Sequence, residues 1–194
     1  MSSPSNTAEE ILTCARSLII AGGYGSFSYA DIAKVVGISK PSIHHHFPTK
    51  ADLVREVVAR YRHDAAAGLA GLERQVPDHV AQLEAYLGYW ARCIADGSAS
   101  FCVCALLAAE QPALPPEVAA EVKAHFRSLS DWLAALLERG SGTGRITLVS
   151  LPATEAEVIM ATVHGAMLAA RAYGDPKVFT TITGPLLTRL TIPR

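Results

Sequence analysis

Four side chains that can donate hydrogen bonds lie within six residues of one another: Lys40, Ser42, His44 and His45. Ile43 and Phe47, four residues apart, give this stretch one apolar face if it is helical. A helix that buries its apolar face and turns its donors to solvent suits contact with a polyanion. The chemistry that this pattern favours is the recognition of nucleic acid through phosphate and base contacts.

Other reactive side chains give weaker patterns. The consecutive histidines His44–His46 point about 100° apart on a helix, so they do not converge on one metal ion. Cys102 and Cys104 stand at i and i+2, which disfavours a local disulfide. Buried, inert thiols are the default interpretation, and a reactive sensor thiol is the alternative. No nucleotide-binding, hydrolase or metalloprotease motif occurs, so we expect no catalytic residue, no metal and no cofactor.

Local signals predict two short helices joined by a tight turn. Ser28 is a good N-cap for the first helix, and Gly37 fits the residue after its end, where a positive φ favours glycine. Ser39 can cap the second helix, and Pro41 is tolerated in a first helical turn. The first helix is expected to bury one apolar face, formed by Ile32, Ala33, Val35 and Val36.

This segment resembles the DNA-binding domain of TetR-family transcriptional regulators. The matching residues are Ser28, Ile32, Ala33, Gly37, Ile38, Ser39, Ile43, His46, Phe47, Lys50 and Leu53. One departure is His44, which stands where most members carry Tyr, although both side chains can donate to a phosphate. The resemblance implies the following DNA contacts: Ser28, Tyr29, Ser39, Lys40, Pro41, Ser42, His44, His45 and Lys50.

Charge is distributed unevenly along the 194 residues, whose net charge is −1. Residues 1–63 carry seven Lys/Arg against five Asp/Glu, so the remainder carries ten against thirteen. A basic first part and an acidic second part suit a DNA-binding domain joined to a regulatory domain. The polar start of the chain lacks a signal-peptide pattern. Four cysteines without framework spacing predict reduced thiols and a cytoplasmic location, with no membrane partner.

The remainder of the chain has helical periodicity, and the sequence predicts an all-α protein. A polar tail over residues 1–6 precedes a first helix that Thr7 and Glu10 would cap. Later helices are expected over 50–75, 78–95, 101–110, 117–139, 154–173 and 177–190, with loops at 97–98 and 140–145 and an extended connector at 146–151. We predict a helix-turn-helix domain over residues 1–55 and a ligand-binding and dimerisation domain over 56–194.

The second domain also resembles a TetR subgroup that includes repressors of electrophile- and aldehyde-detoxification genes. The shared features are Cys102-x-Cys104, Ala108–Glu110 and Trp132-Leu133. Ligand sites are mostly apolar with few polar anchors, so aromatic and sulfur-containing residues are the best pocket candidates, although each alone is more often an ordinary core residue. The predicted pocket set is Tyr86, Tyr89, Trp90, Cys93, Phe101, Cys102, Cys104, Phe126 and Trp132.

The last two helices, Thr154–Tyr173 and Lys177–Leu190, are expected to pair with their copies in a second subunit. Small residues would let the helices approach closely, and Ala166 is expected to lie in that seam. A monomeric core helix is the alternative. We favour a dimer because this motif reads an operator through two half-sites.

These features predict a ligand-responsive repressor that binds double-stranded operator DNA as a homodimer and is released by a small, mainly apolar inducer. One alternative is a thiol-based sensor of electrophiles or redox state that uses Cys102 or Cys104. Two others are a small helical enzyme with a Cys or His nucleophile and a ligand-binding protein that does not read DNA.

Overall fold

The computed structural model describes residues 4–97 and 101–191, and the all-α fold is confirmed there. Within these ranges nine α-helices follow one another: α1 (Pro4–Gly22), α2 (Tyr29–Val36), α3 (Lys40–His46), α4 (Lys50–Gln75), α5 (His79–Asp96), α6 (Val103–Ala109), α7 (Pro116–Gly142), α8 (Pro152–Tyr173) and α9 (Lys177–Leu190). Short 3₁₀ turns at Tyr24–Ser26 and Gln111–Ala113 lie between α1 and α2 and between α6 and α7. In the described chain no helix has the length and apolarity needed to cross a bilayer.

The chain divides into two compact units. The first contains the chain up to Asp64 together with Cys102–His125, and the second contains the rest. The boundaries therefore fall inside α4 and inside α7, and α6 belongs with α1–α3 although it is distant from them in sequence. The predicted functional division after residue 55 stays a prediction.

The first unit is organised around the apolar face of α1. Its core brings together residues of five helices that are buried completely: Ile11, Ile19, Ile32, Ile43, Leu53, Val103 and Leu107. Burying about seven large aliphatic side chains is the main stabilising contribution for such a unit. Two ion pairs at its surface join helices: Arg60 binds Glu9 of α1, and Arg62 lies 3.1 Å from Glu121 of α7.

The second unit packs the long helices α5, α7, α8 and α9 against one another. Its fully buried residues include Leu83, Leu133, Leu136, Ile159 and Phe179. An ion pair joins the start of α8 to the end of α9, because Nη2 of the exposed Arg189 lies 2.8 Å from the almost completely buried Glu155. That contact lowers the pKa of Glu155, since the charged carboxylate is the form that Arg189 binds.

The start of α1 differs from the prediction. The helix begins at Pro4 and not at Thr7, because proline is tolerated in a first helical turn. Glu10 accepts a hydrogen bond from the Asn6 amide at 2.7 Å and does not form the expected capping box with Thr7. Residues 1–3 of the predicted tail, and Ser98 of the predicted loop after α5, lie outside the described residues.

The region between α7 and α8 also differs in part. Helix α7 runs to Gly142, so the predicted 140–145 loop begins three residues later than expected. The absence of a side chain at Gly140 lets Ile146 pack against the end of α7, since a Cβ there would lie 2.5 Å from Ile146 Cδ1. The predicted extended connector forms one antiparallel bridge, Ile146 with Thr191, in which the Thr147 N–H donates to the Leu190 carbonyl at 2.8 Å.

Candidate nucleic-acid interface and ligand-binding residues

The start of α2 is held by a reciprocal capping box. The Ser28 hydroxyl accepts from the Ala30 N–H at 3.2 Å, and the Ser28 N–H donates to Asp31 Oδ2 at 2.7 Å. Donation to Asp31 from the Ser28 hydroxyl, at 2.7 Å, and from the Ser28 N–H lowers the pKa of Asp31, because both bonds stabilise its charged form. The predicted Ser28 cap is confirmed, and Asp31 was missed. The S-x-x-D spacing was the available signal.

The turn between α2 and α3 follows the predicted chemistry. Gly37 ends α2 with φ 76° and ψ 30°, and its N–H donates to the Ala33 carbonyl at 3.0 Å. Ser39 caps α3 by accepting from the Ser42 N–H at 3.3 Å, and Pro41 lies in the first turn. The turn and the start of α3 are therefore fixed by hydrogen bonds between residues close in sequence.

Helix α3 has one buried and one solvent-facing side. Ile43 is completely buried and Phe47 nearly so, as predicted. The opposite side exposes four of the predicted DNA contacts: Lys40, Pro41, His44 and His45. Ser42, also predicted to contact DNA, is half-buried. Val35 of α2 was expected in the core but is 67% exposed, because α2 buries only the side that carries Ile32.

Tyr29 was predicted to contact DNA, but the structure buries it. Its side chain is buried, and its hydroxyl donates to the Phe47 carbonyl at 2.8 Å. Burial raises the pKa of Tyr29 to about 12, with smaller contributions from Asp52 and Tyr24. The hydroxyl therefore links α2 to the end of α3 and does not face solvent.

His44 is held by the same cluster. Its ring meets the Tyr29 ring edge to face at 4.7 Å, and its Nδ1 lies 3.1 Å from the Pro48 carbonyl oxygen. Because a carbonyl only accepts, the Nδ1–H must be the donor in this contact. Nε2 is then the ring nitrogen left for DNA, and the predicted phosphate contact of His44 stays a prediction.

Lys50 is half-buried at the start of α4. Its ammonium donates to the Phe27 carbonyl and lies 4.1 Å from the centre of the Phe27 ring and 4.7 Å from that of Tyr24. Burial lowers the pKa of Lys50, while the charges of Glu110 and Asp31 oppose that shift. These contacts hold the turn before α2, and the predicted phosphate contact of Lys50 stays a prediction.

The predicted pocket residues fall into different units. Seven lie in the second unit: Tyr86, Tyr89, Trp90, Cys93, Phe101, Phe126 and Trp132. Tyr86 and Trp132 have ring centres 5.8 Å apart, and Trp90 packs against Tyr89 at 5.3 Å. Tyr89 is 48% exposed, so burial does not support it as a pocket wall.

A polar residue near this aromatic cluster was missed. Gln82, one helical turn before Tyr86, is 3% exposed. Its Nε2 donates to the Val76 carbonyl at 2.6 Å, but among the described residues its Oε1 has no hydrogen-bond partner. The buried Nε1 of Trp132 likewise has none within the described chain. A polar residue on the aromatic face of α5 was the available signal.

The two remaining pocket candidates, Cys102 and Cys104, lie in the first unit and are fully buried. Cys102 Sγ is 4.0 Å from His125 Nε2. Burial and the contact with Cys102 raise the pKa of Cys104 well above its usual range. The thiol form of Cys104 therefore dominates, and inert burial is favoured for it. Within the described residues no cluster of three His, Cys, Asp or Glu is arranged to hold a metal ion.

Helix α8 buries one side within its own subunit and exposes the other. Ala166 is completely buried, so its expected place in a dimer seam is wrong. The exposed side carries apolar and small residues at helical spacing: Val158, Ala161, Gly165, Leu168 and Ala172. Sequence periodicity alone did not separate these two faces, because both are rich in Ala and aliphatic residues.

Two domain families match the chain. One, described as bacterial regulatory proteins of the tetR family, matches residues 11–57, and the other, described as tetracyclin repressor-like, C-terminal domain, matches residues 80–183. A TetR-family regulator from Agrobacterium tumefaciens has a solved structure that is 59% identical, with a TM-score of 0.96 over 98% of this chain and 100% of that chain.

More distant relatives share the architecture. The reduced form of NemR from E. coli is 20% identical, with a TM-score of 0.85 over 96% of this chain and 98% of NemR, which shows a common fold. The transcriptional activator FasR from Mycolicibacterium smegmatis is 26% identical over 133 residues, which is 69% of this chain and 59% of FasR. The chain belongs to the TetR family of bacterial transcriptional regulators, which bind operator DNA as homodimers and are not enzymes.

Proposed function

We propose that this regulator is a repressor whose two α3 helices read neighbouring half-sites of an operator. The observation that carries the proposal is the exposed row of Lys40, Pro41, His44 and His45, held in place by the buried Ile43. Half-sites for such dimers are centred about 34–36 Å apart or at multiples of that distance. The protein would act in the cytoplasm, where its operator is.

Within this interface the residues have different roles. Lys40 and Ser42 face base edges from the first turn of α3, and His45 contacts phosphate. His44 presents an acceptor while its ring is neutral, which suits a base amino group. Ser28 and Ser39 lie at the two helix starts, where backbone N–H groups favour a phosphate.

The proposed dimer interface is the exposed side of α8 with the adjacent part of α9, and its occupant is a second copy of this chain. Leu168 is 59% exposed and Val158 is 45% exposed, and small residues between them permit close approach of helices. An apolar face of this kind is costly in water and is a common feature of subunit interfaces. Family members bind DNA as homodimers, which supports the same assignment.

The proposed inducer is a mainly aromatic small molecule with one hydrogen-bond acceptor and one donor. Gln82 Oε1 and Trp132 Nε1, both buried, have no hydrogen-bond partner in the described chain. Leaving such a group unpaired costs about 1–3 kcal/mol, so a ligand that satisfied both would gain affinity and orientation. Tyr86, whose ring contacts Trp132, would supply an apolar wall.

Thiol sensing is the second candidate, and one observation favours it. Cys102 Sγ lies within 4.0 Å of His125 Nε2, and an imidazole can activate a thiol. Against it stands the burial of both thiols, which protects them from electrophiles. Alkylation by N-ethylmaleimide that releases DNA from the wild type, but not from Cys102→Ser, would reverse this ranking.

The test of the regulator starts from DNA selected from a randomised library by the wild-type protein. A two-fold symmetric consensus and a gel shift of that duplex are expected. A reporter placed behind the selected site should be more active when the gene is deleted. Lower activity after deletion would instead establish an activator, the function by which FasR is named.

The inducer is tested with paired probes. Salicylamide has an aromatic ring with donors and acceptors, and naphthalene has the ring alone. In a Trp90→Phe variant the remaining Trp132 reports binding by fluorescence, since the chain has two tryptophans. Salicylamide-type compounds should shift the emission and weaken the DNA complex more than naphthalene does, and Gln82→Met should remove that difference. Equal responses to both probes would overturn the polar part of the proposal.

A further inference from the structure

The carboxylate of Glu110 binds the turn between α1 and α2. Glu110 directly follows α6, yet its Oε1 accepts from the Tyr24 N–H at 3.0 Å and its Oε2 from the Gly25 N–H at 3.4 Å. Both contacts lie within the first unit, and they span 86 and 85 residues of sequence. Residues near the middle of the chain thus stabilise the turn that leads into the helix-turn-helix.

Gly23 makes this approach possible. Its φ is +85°, and a Cβ built on it would lie 1.7 Å from Glu110 Oε1. Any other residue would displace the carboxylate and would also be strained at that φ. Gly25, two residues later, is open, with no atom within 4 Å of a Cβ. The approach of the carboxylate therefore requires glycine at position 23 but not at position 25.

Lys50 holds the other end of the same turn. Its ammonium binds the Phe27 carbonyl, and the charge of Glu110 raises its pKa against the effect of burial. Glu110, which follows α6, and Lys50, at the start of α4, thus both contact residues 24–27. Ser28, the next residue, is the N-cap of α2, so the position of this turn determines where the first helix of the DNA-binding motif begins.

We propose that Glu110 is a positioning residue that makes operator affinity depend on the position of α6. A displacement of α6 by about 1 Å would lengthen both bonds beyond hydrogen-bonding range. Without these bonds the turn would be less ordered. Ordering α2 and α3 on DNA would then cost conformational entropy, which lowers operator affinity. The inference rests on DNA binding, which the family establishes, and is independent of which inducer acts.

The test compares Glu110→Ala with Glu110→Gln by operator binding and amide hydrogen exchange at a temperature where both are folded. Glu110→Ala should weaken the selected duplex about tenfold and expose the Tyr24 and Gly25 amides. The salt dependence should stay unchanged, because no phosphate contact is lost. Glu110→Gln retains one acceptor oxygen and should restore affinity to within about threefold of wild type.

Two matched controls complete the experiment. Glu117→Ala removes an exposed carboxylate from the same unit and should leave affinity unchanged. Gly23→Ala should mimic Glu110→Ala, with a smaller additional effect in the Glu110→Ala background, whereas Gly25→Ala should bind normally. If Glu110→Ala does not fold, the operator affinities of Glu110→Gln, Gly23→Ala and Gly25→Ala test the proposal, with a loss expected only for Gly23→Ala. The proposal would be overturned if Glu110→Ala lost its amide protection but bound the operator within twofold of wild type. It would also be overturned if Glu117→Ala lost as much affinity as Glu110→Ala.

Discussion

Polar groups are satisfied differently in the helix-turn-helix and in the part of the second unit where α5 packs against α7. Around α2 and α3, Ser28, Asp31, Ser39 and the Tyr29 hydroxyl all make hydrogen bonds within the first unit. In the second unit, Gln82 Oε1 and Trp132 Nε1 are buried without partners in the described chain. A DNA-binding surface must keep one shape, so it benefits when the polar groups at its helix starts are hydrogen-bonded within the protein. A ligand site of the kind proposed for the second unit would benefit from polar groups that gain their hydrogen-bond partners only when the ligand binds.

The largest effect on operator binding is expected from separating the subunits, because the proposed role of the second unit in DNA binding is dimerisation. Leu168→Glu places a charge on the exposed face of α8. We expect a monomer by sedimentation and a loss of operator affinity of about 100-fold or more, since two linked half-site contacts become independent. Ala67→Glu, at an exposed position of α4, is the control. A dimeric Leu168→Glu protein would place the interface elsewhere.

The next largest effect is expected on α3. Lys40→Ala should cost about 1–3 kcal/mol of binding to the preferred operator if Lys40 contacts a base. The loss should be smaller for a duplex altered at that base pair, because the contact is already absent there. Titrations against a set of single-substitution duplexes check this. Uniform weakening across the set would reduce Lys40 to a phosphate contact.

The satisfied polar groups are tested by Ser28→Ala. Loss of this N-cap should reduce the free energy of unfolding by about 1 kcal/mol. Chemical denaturation of the purified dimer gives the value, and Ser26→Ala, in the preceding turn, serves as a comparison. An unchanged midpoint would show that the capping box does not contribute measurably.

The same capping box predicts a dependence on acid. The pKa of Asp31 is lowered in the folded chain by its bonds from Ser28, so its contribution to stability is complete above the unfolded-state value of about 3.9. That contribution is lost as the pH falls through the lower folded value. Asp31→Asn should therefore resemble wild type more closely at pH 3 than at pH 7. A difference that does not narrow on acidification would exclude this linkage.

The smallest effect is expected at the unsatisfied group. Gln82→Met removes an acceptor that has no partner in the described chain but also loses the bond to the Val76 carbonyl. The two changes oppose each other, so the free energy of unfolding should move by less than about 1 kcal/mol. A loss larger than that of Ser28→Ala would show that Gln82 is an ordinary structural residue and would remove the contrast between the two regions.

Much of the first unit could be predicted because its determinants are local. Ser28, Gly37, Ser39 and Pro41 each act on backbone groups within four residues, and Ile43 shares a helical face with Phe47. Tyr29 was misassigned because its partner, the Phe47 carbonyl, is 18 residues away. Glu110 was recognised only as part of a motif, since its contact with Tyr24 spans 86 residues.

By itself the sequence determined the helices, the DNA-binding motif and the family, because caps, turns and periodicity act over a few residues. Only the tertiary structure decided which similar residues turn inward. It buried Ala166 and exposed Leu168 on one helix, and it placed Cys102 in the first unit although the aromatic residues predicted to share its pocket belong to the second. The physical reason is that burial and hydrogen bonding between distant segments depend on how helices pack, and a helix with apolar residues on every side does not specify in advance which side its neighbours will cover.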